Sequence, residues 1–458
     1  MVEGRTHRPV IQPEQCQSCN VCLRGCPAEI IPEYRKEEES LRGILYRQEK
    51  ERERAKGQVS IPPCQEACPI QQDTRGYVGL IARGKLKEAL ELIREVNPLP
   101  AVCGFICHHL CEEACLRTEV DQPVPIRLLK RFVAEYERGR ERPRRRPGKG
   151  RREKILVVGS GPAGLAASND LRLLGYGVTV VEALPVLGGM LAVGIPEFRL
   201  PRDILKMEID AIGELGVEME TGYRFHFDNG SKTFQKLGYQ AVFLSIGAQR
   251  SISLNIEGKH LKGILSGLEF LKAIHLGRKT SLGKRVVVVG GGNVAVDVSR
   301  CARRLGVEEV RMVCIESRKE MPAIPEEVTE ASRDGVKIHG LASPTRILGK
   351  GGKAIAIEFV RLTSTGFSGR KVAVPREKAT FRLFADTIIA AIGQRVDRNA
   401  LRRFNTHRDG TIRVNPQTGE TSMPGVFAGG DVVTGPGWAI EAIAAGKKAA
   451  RAIDQYLS

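Results

Sequence analysis

The sequence predicts an α/β fold in which two Rossmann-like units follow a helical, cysteine-rich region. Ten of the twelve cysteines precede residue 116, and both glycine-rich turns of the strand–turn–helix type follow residue 153. The strand–turn–helix pattern starts at Ile155 and again at Val286, which indicates an internal duplication. A chain of 458 residues exceeds what one hydrophobic core usually holds, so we expect about three domains.

Helices are expected between the cysteines of the N-terminal region. Apolar residues recur with helical spacing over residues 74–96, for example at Leu86, Leu90 and Ile93. The same spacing recurs over residues 126–136. By contrast, the charged run between Cys26 and Cys64 has too few apolar residues for a core, and we expect an exposed helix or arm there.

Composition limits the compartment and the use of the cysteines. The longest apolar stretches, such as 286–289 and 387–392, have strand length and fall far short of the roughly 20 residues that span a membrane. The N-terminus shows no apolar segment of the secretory type, so we expect a cytoplasmic protein. Because that compartment keeps thiols reduced, the cysteines predict metal ligation rather than disulfides.

Much of the formal net charge of +18 lies in one segment, residues 138–154, which holds ten basic and two acidic residues. Prolines and glycines interrupt this segment, so it is interpreted first as a solvated linker and second as a docking strip for an acidic partner. Nucleic-acid binding is not expected, because the strip has no interleaved aromatic residues and matches no binding motif.

The first glycine-rich turn has the context of a dinucleotide site. The apolar run 155–158 leads into a GxGxxG turn at residues 159–164 and then into a helical segment. Such glycines let backbone N–H groups approach a pyrophosphate at the positive end of a helix, and an acid ending the next strand accepts hydrogen bonds from a ribose. A purely structural turn is the alternative. The candidate residues are Gly159, Gly161, Pro162, Ala163, Gly164 and Glu182.

The second glycine-rich turn is a G-x-G-x-x-A variant at residues 290–295. Glu316 ends the following strand, where a carboxylate would pair with the ribose hydroxyls of NAD and repel the 2′-phosphate of NADP. We therefore expect NAD(H) rather than NADP(H), although Arg318 and Lys319 could still hold a phosphate and Glu316 could simply be solvated. The candidate residues are Gly290, Gly292, Asn293, Val294, Ala295 and Glu316.

A third signal lies near the C-terminus, where residues 426–431 place an acid after two glycines, ahead of a helical segment. It resembles the second FAD motif of two-dinucleotide-domain flavoproteins. The resemblance implies that Asp431 binds the ribityl chain, that the helix N-terminus faces the flavin, and that the segments flanking the NAD domain fold together. A surface turn with a capping Asp is the alternative. The expected FAD contacts here are Gly430, Asp431, Ala439 and Ile440, with Gly247 and Gly393 added as cofactor contacts.

Two groups of cysteines predict iron–sulfur ligation. The first, C-x2-C-x2-C-x3-C-P, matches the bacterial ferredoxin run, whereas a zinc site usually draws its ligands as two separated pairs. In the second group the last four cysteines are spaced by four residues, which would place them on one face if the segment were helical. The expected ligands are Cys16, Cys19, Cys22, Cys26, Cys64, Cys68, Cys107, Cys111 and Cys115.

Over residues 60–458 the chain resembles the glutamate synthase small subunit and the N-terminal half of dihydropyrimidine dehydrogenase. The resemblance rests on residues 64–69, 97–100 and 103–107, and on the run 188–201 that includes Gly189 and Met190, which we add to the cofactor contacts. Arginines that bind the phospho-ribose in NADP-using members would fall at residues 315 and 316, where Ile and Glu stand instead.

The chain departs from these families in its cluster ligands. Lys56 and Val59 occupy the places of a CxxC, and Lys130 stands where dihydropyrimidine dehydrogenase uses a glutamine ligand. Two [4Fe–4S] clusters are expected, with Cys103 as a spare thiol, and a third cluster would need ligands other than cysteine. Cys301 and Cys314 are interpreted as buried apolar residues of the NAD domain.

These features predict an FAD-dependent NAD(P)H:acceptor oxidoreductase. FAD converts a two-electron hydride into single electrons for a cluster, so no catalytic side chain is assigned. No segment is left for a substrate-transforming domain, so we expect a catalytic partner subunit or a ferredoxin, as in a 2-oxoacid oxidoreductase or in NADPH-dependent glutamate synthase. A disulfide reductase would need a redox CxxC near the flavin, and none follows residue 115. An iron–sulfur protein that binds nucleic acid leaves both nucleotide sites unexplained.

The expected boundaries follow from these assignments: a ferredoxin-type segment and charged arm at 1–60, a helical iron–sulfur domain at 61–137, a basic linker at 138–153, the N-terminal segment of the FAD domain at 154–282, an inserted NAD(H) domain at 283–393, and the C-terminal segment of the FAD domain at 394–458.

Overall fold

The structure is a computed structural model that describes residues 61–140, 145–367 and 370–458. The predicted ligands Cys16, Cys19, Cys22 and Cys26, and the predicted arm, lie outside the described residues. Within the described residues no helix is long and apolar enough to cross a membrane.

The cysteine-rich region is helical, as its apolar spacing predicts. Leu90 and Ile93 are buried on one face of their helix, and Val133 is buried on the last helix of the region. Pro63 and Pro100 each begin a helix, where a missing backbone N–H costs nothing. The helices are α1 (Pro63–Glu66), α2 (Thr74–Ala82), α3 (Leu86–Arg94), α4 (Pro100–Ile106), α5 (Leu110–Glu113) and α6 (Ile126–Tyr136), with a 3-10 turn at Leu116–Glu119.

The first Rossmann-like unit is built on a parallel five-stranded sheet. Its strands are β1 (Lys154–Val158), β2 (Gly177–Glu182), β3 (Glu218–Thr221), β4 (Ala241–Leu244) and β15 (Val426–Ala428). The strand order is β15-β4-β1-β2-β3. Strands β1, β2, β4 and β15 are apolar and buried, as parallel strands covered by helices require, whereas the edge strand β3 is mostly exposed. The helices are α7 (Pro162–Leu173), α8 (Met190–Val193), α9 (Arg202–Gly213), α10 (Ser231–Lys236), α14 (Asp431–Thr434) and α15 (Ala439–Leu457).

The second unit is built on another parallel five-stranded sheet. Its elements are β6 (Ile264–Ser266), α11 (Gly267–His275), β7 (Arg285–Val289), α12 (Asn293–Arg304), β8 (Glu309–Val313), α13 (Pro325–Arg333), β9 (Lys337–His339) and β13 (Thr387–Ala390). The strand order is β6-β13-β7-β8-β9, and the edge strand β6 precedes residue 283, the boundary expected for this unit. A three-stranded antiparallel sheet is inserted before β13: β10 (Ala342–Lys350), β11 (Lys353–Phe367) and β12 (Arg370–Phe384).

The chain passes from the first unit to the second and back. The crossing segments pair as a short antiparallel ladder, β5 (Arg250–Ser251) with β14 (Gln394–Arg395). After β14 the chain returns to the first sheet, where β15 joins β4. Helix α15 then packs closely on α7, since a Cβ added to Gly446 would lie 2.1 Å from the Ala163 carbonyl oxygen. The second unit is therefore inserted into the first, as the C-terminal motif predicts.

Buried polar contacts attach the cysteine-rich region to the first unit. The carboxylate of Glu208, on α9, accepts hydrogen bonds from the backbone N–H groups of Ala101 and Val102 at 2.6 and 2.9 Å. Because these amides lie in the first turn of α4, a buried carboxylate there satisfies groups that have no partner within the helix. This contact fixes the helix that carries Cys103 against the first unit.

The described residues of the basic linker lie along the first unit. Arg151 donates to the hydroxyl of Tyr176 at 2.7 Å and forms an ion pair with Asp454. Arg145 donates to the side chain of Asn169 at 3.2 Å. Some of the linker arginines are therefore paired with residues of the first unit.

Candidate functional site

In the first glycine-rich turn, two glycines have no room for a side chain and a third faces open space. Gly159 has φ +105°, and a Cβ there would lie 2.6 Å from the Ser245 carbonyl oxygen. A Cβ on Gly164 would lie 2.0 Å from the carbonyl oxygen of Gly159. By contrast, a Cβ on Gly161 would have no neighbour within 4 Å. Gly161 thus borders the space where a pyrophosphate would lie against the N-terminus of α7.

The second turn repeats this geometry. Gly290 has φ +143°, and a Cβ there would lie 2.2 Å from the Ala391 carbonyl oxygen. Gly292 again faces open space. Ala295, in the place of a third glycine, is fully buried in α12, where its methyl group packs in the core. The two turns therefore present equivalent surfaces to two nucleotides.

Both turns line one cavity of about 1340 Å³. Of the predicted cofactor contacts, those that line it are Gly159, Gly161, Pro162, Ala163, Glu182, Gly189, Met190, Gly247, Gly290, Gly292, Asn293, Val294, Glu316, Gly393, Gly430, Asp431 and Ala439. Gly164, Ala295 and Ile440 do not line it. Those three pack in or beside the helices whose N-termini face the cavity.

Glu182 connects the strand end to two neighbouring segments. One carboxylate oxygen accepts hydrogen bonds from the backbone N–H and the hydroxyl of Ser160, at 2.9 and 2.6 Å. The other accepts from the Leu184 N–H at 2.9 Å. The Ser160 hydroxyl in turn accepts from the Gly188 N–H at 3.0 Å. These contacts hold the carboxylate in place. Its oxygens can still accept a hydrogen bond from a ribose hydroxyl.

Asp431 begins α14 at the cavity wall. Burial raises the pKa of its carboxyl to about 6, because the charged form is less well solvated there. The Gly437 N–H donates to it at 3.3 Å. A few residues later α15 begins at Ala439, so the N-terminal end of a 19-residue helix also faces the cavity. A carboxylate here can accept hydrogen bonds from flavin hydroxyls, and the N–H groups at the start of α15 can donate to oxygens of the flavin ring.

Glu316 follows the end of β8 and lines the cavity beside the second glycine-rich turn. Its Oε2 is buried and has no hydrogen-bond partner among the residues that the structure describes. It would lie 2.6 Å from a Cβ on Gly291, so the carboxylate closes over the second turn. Arg318 instead donates to the Ser332 hydroxyl at 2.7 Å, and neither Arg318 nor Lys319 lines the cavity.

The cysteine side chains of the helical region lie near one another and are free thiols. Cys68 raises the pKa of both Cys107 and Cys111, after burial as the larger cause. Burial raises the pKa of the fully buried Tyr77, and the nearby thiols of Cys111, Cys68 and Cys64 raise it further. In the ranges described, no group of three or more His, Cys, Asp or Glu side chains is placed to hold a metal ion. Cysteine thiolates are the usual ligands of iron–sulfur clusters, so these cysteines remain the candidate ligands.

The cysteines do not share one helical face. Cys103 is inside α4, Cys107 follows its last residue with an extended backbone, and Cys111 belongs to the short α5. Cys115 precedes the 3-10 turn. The extended backbone at Cys107 therefore ends the helical repeat after Cys103.

Three cysteines behave as packing residues. Cys103 is 1% exposed, and burial raises its pKa. Its Sγ lies 3.8 Å from the side-chain oxygen of Asn97. Cys301 and Cys314 are buried in the core of the second unit, as expected, and burial raises the pKa of each.

Lys130 is buried close to the thiols. It is 6% exposed and lies over the ring of Tyr77, 5.9 Å from the centroid. Its charge lowers the pKa values of Cys103, Cys107 and Cys111, opposing the larger effect of burial. A cation in this position favours the thiolate forms that bind iron.

One aromatic pair links the cysteine loop to the cavity. His108, next to Cys107, stacks on Trp438 with ring centroids 4.3 Å apart and planes 12° apart. Trp438 and Ile106 both line the cavity. The sequence interpretation missed this contact. The available signal was that Trp438 is the single tryptophan of the chain and directly precedes the helix at Ala439.

Comparison with known proteins agrees with the site. Residues 153–446 match the family model described as pyridine nucleotide-disulphide oxidoreductase. Residues 38–142 match the model described as dihydropyrimidine dehydrogenase domain II, 4Fe-4S cluster. The expected resemblance to glutamate synthase small subunits and dihydropyrimidine dehydrogenase is confirmed.

Individual relatives cover the chain to different extents. It is 43% identical to the "NADP(+)-dependent formate dehydrogenase subunit beta" of Moorella thermoacetica, over 86% of this chain and 60% of that protein. It therefore spans less than two thirds of that relative. It is 33% identical to the "NAD-dependent dihydropyrimidine dehydrogenase subunit PreT" of Salmonella typhimurium, over 86% of this chain and 91% of that protein.

A solved structure shares the fold of the nucleotide-binding units. FprA from Mycobacterium tuberculosis matches with a TM-score of 0.56 and 20% identity, over 67% of this chain and 85% of that chain. Turn geometry, cavity and family matches agree on the two nucleotide units and the cluster region. The chain thus belongs to the pyridine nucleotide-disulphide oxidoreductase family, as an FAD- and NAD(P)-dependent oxidoreductase with an N-terminal [4Fe–4S] domain.

Proposed function

We propose that this chain is the electron-transfer subunit of a larger complex, moving electrons between NAD(H), FAD and [4Fe–4S] clusters to or from a catalytic partner subunit. One observation carries the proposal: a single cavity is lined by both nucleotide turns and by residues adjoining the cysteine loop. Bound FAD would accept two electrons as a hydride and release them singly, which is the conversion a cluster needs.

The residues of the first unit support FAD rather than a second nicotinamide cofactor. Gly161 leaves room for a pyrophosphate, and Glu182 lines the cavity at the end of β2, where it would accept hydrogen bonds from a ribose. Asp431 and the N-terminus of α15 would hold the ribityl chain and the ring. The site residues thus bind, orient and shield the reacting ring, while no side chain is assigned as a proton donor.

The geometry at Glu316 supports NAD(H) as the nicotinamide cofactor. A buried, unpartnered carboxylate oxygen would accept hydrogen bonds from ribose hydroxyls and repel a 2′-phosphate. Arg318 is engaged with Ser332 and lies outside the cavity lining. The names of the relatives divide between NADP(+) and NAD, so the preference depends on these residues.

The cysteine loop provides the exit for electrons. Ile106 lines the cavity and is followed directly by Cys107, and His108 stacks on Trp438, which also lines the cavity. Cys64, Cys68, Cys107, Cys111 and Cys115 are the proposed ligands among the described residues. With the N-terminal cysteine run we propose two clusters in all.

The partner is proposed from the names of the relatives. The relatives are named as subunits of formate dehydrogenase and dihydropyrimidine dehydrogenase, which favours a dehydrogenase-type complex. The complex expected from the sequence, of the 2-oxoacid oxidoreductase type, and its alternative, a glutamate synthase, would exchange electrons with the same clusters but carry out different chemistry.

Anaerobic purification of the native complex tests this function. We expect flavin absorbance, co-purifying catalytic subunits, and faster flavin reduction by NADH than by NADPH. A chain that purifies alone, without flavin, would contradict the proposal and favour the non-enzymatic iron–sulfur interpretation. A flavoprotein reduced faster by NADPH would contradict the NAD(H) assignment alone.

A further inference from the structure

A buried charge network joins the first and second nucleotide-binding units, which are called the first and second halves below. Arg199 lies in the loop between α8 and α9 of the first half. Its guanidinium group donates to the Asp297 carboxylate on α12, with Nη1 and Oδ2 2.7 Å apart. It also pairs with Glu327 on α13 at 3.0 Å. Arg300 pairs in turn with Glu327 and Asp334, at 2.9 Å each. The side chains of Arg199 and Asp297 are 8% and 5% exposed, so the pair is held away from solvent.

An aromatic contact holds the same segment against the second half. Phe198 packs beneath two guanidinium groups of α12, with Arg300 and Arg304 at 4.7 and 4.3 Å from its ring centroid. Cation–π contacts and paired charges on adjacent residues give Arg199 little freedom to move. Asp297 is therefore fixed in position by residues of both halves.

One oxygen of Asp297 is left without a partner. Its Oδ2 accepts from Arg199, whereas Oδ1 is buried and has no hydrogen-bond partner among residues 61–140, 145–367 and 370–458. Asp297 and Arg199 both line the cavity between the two glycine-rich turns. A buried acceptor without a donor is costly, so a ligand that brings an N–H or O–H to it gains binding energy.

The position of Asp297 indicates which portion of a dinucleotide it meets. Glu316 follows β8 and marks the adenosine ribose, and the turn at residues 290–294 marks the pyrophosphate. The remaining nicotinamide must extend toward the first half, because its ring has to reach the flavin. Asp297, one helical turn beyond the glycine-rich turn and tied to the first half by Arg199, lies on that side.

We propose that Asp297 is a specificity-determining residue whose free oxygen accepts a hydrogen bond from the carboxamide N–H of the nicotinamide. This inference rests on the proposed nicotinamide site of the second unit. Arg199 and Glu327 are positioning residues, since they hold the carboxylate in place without being assigned a ligand contact. Burial, opposed by Arg199, raises the pKa of Asp297 to about 7.

An Asp297→Asn variant reverses the hydrogen-bonding character of this position. Arg199 can only donate, so the amide oxygen of Asn would remain on Arg199 and the NH₂ group would face the cavity. The NH₂ group of Asn would then face the NH₂ group of the carboxamide, and two donors cannot form a hydrogen bond. The size and shape of the side chain are unchanged, so the variant tests the acceptor itself.

Calorimetric titration of the oxidised, FAD-loaded full chain provides the test. For Asp297→Asn we expect NAD+ to bind about 10- to 100-fold more weakly, the range of one hydrogen bond to a charged acceptor. ADP-ribose, which lacks nicotinamide, should bind with unchanged affinity. The wild type should also favour NAD+ over its 3-acetylpyridine analogue, which lacks the amide NH₂, and the variant should lose that preference.

Asp334→Asn is the matched control, since it makes the same change in the same network at a carboxylate that does not line the cavity. It should leave both affinities unchanged. Equal weakening of NAD+ and ADP-ribose by Asp297→Asn, or no weakening of either, would overturn the inference alone. Failure of the wild type to bind either ligand would overturn the proposed nicotinamide site itself.

Discussion

Replacing Glu316 with serine should convert the nicotinamide preference of this enzyme. The carboxylate closes over the second glycine-rich turn, with Oε2 buried and unpartnered within the described ranges of the chain. A ribose hydroxyl bonded to a charged acceptor contributes about 1.5–3 kcal/mol, or roughly 10- to 150-fold in kcat/KM with NADH. Serine keeps a hydroxyl but removes the charge, so NADH should lose about that factor.

NADPH should gain from the same substitution. Two unit charges 4 Å apart repel by about 4 kcal/mol at an effective dielectric constant of 20, before screening by the solvent that reaches this half-buried residue. Removing Glu316 abolishes that repulsion from the 2′-phosphate. Arg318, held by Ser332 in this structure, would also be available to a phosphate after a side-chain rotation.

Anaerobic stopped-flow measurement of flavin bleaching with each cofactor is the assay. We expect the NADH/NADPH ratio of kcat/KM to fall in Glu316→Ser and to stay unchanged in Glu320→Gln, a nearby carboxylate that accepts from Ser317. If the wild type shows no preference and Glu316→Ser leaves the ratio unaltered, the reasoning about this carboxylate is refuted.

Four further predictions follow from the site. Gly161→Ala should abolish FAD retention but leave the melting temperature of the FAD-free chain within about 2 °C, because its Cβ meets no protein atom yet occupies the pyrophosphate space; retained FAD would contradict that role. Trp438→Leu, but not Trp438→Phe, should slow electron transfer from flavin to cluster about tenfold without slowing flavin reduction, as measured by rapid-freeze EPR. Lys130→Gln should make the midpoint potential of the adjacent cluster more negative by roughly 60 mV, because the ammonium stabilises the added electron, whereas Lys130→Arg should not in an EPR-monitored redox titration. NAD+ affinity should fall as the pH is lowered through about 7, where the free oxygen of Asp297 gains a proton and ceases to accept, and titrations of Asp297→Asn should show no such step.

The local features of this fold could be predicted from sequence. The turns at residues 159–164 and 290–295 and the helix at Ile126–Tyr136 follow from glycine placement and apolar spacing, which act over a few residues. The insertion of the second unit followed from the resemblance at Asp431. The turns and the helix, unlike the insertion, rest on patterns whose physical cause is contained in the segment itself.

The contacts that join distant segments could not be predicted in the same way. His108 meets Trp438 and Arg199 meets Asp297 only after separate elements have packed together. The edge strand Ile264–Ser266 has three residues, too few for a clear period. Spacing by four among the cysteines would give a shared face only in a continuous helix, and the extended backbone at Cys107 interrupts the helix.

We propose that electrons pass between NADH and the clusters of this chain through the flavin. The most direct test of this proposal is rapid-freeze EPR combined with absorbance, after mixing the anaerobic, FAD- and iron-loaded full chain with NADH. We predict that flavin bleaching comes first and that the signal of reduced [4Fe–4S] clusters rises as the flavin is reoxidised. Bleaching of the flavin with clusters that stay oxidised until a chemical reductant is added would contradict the account.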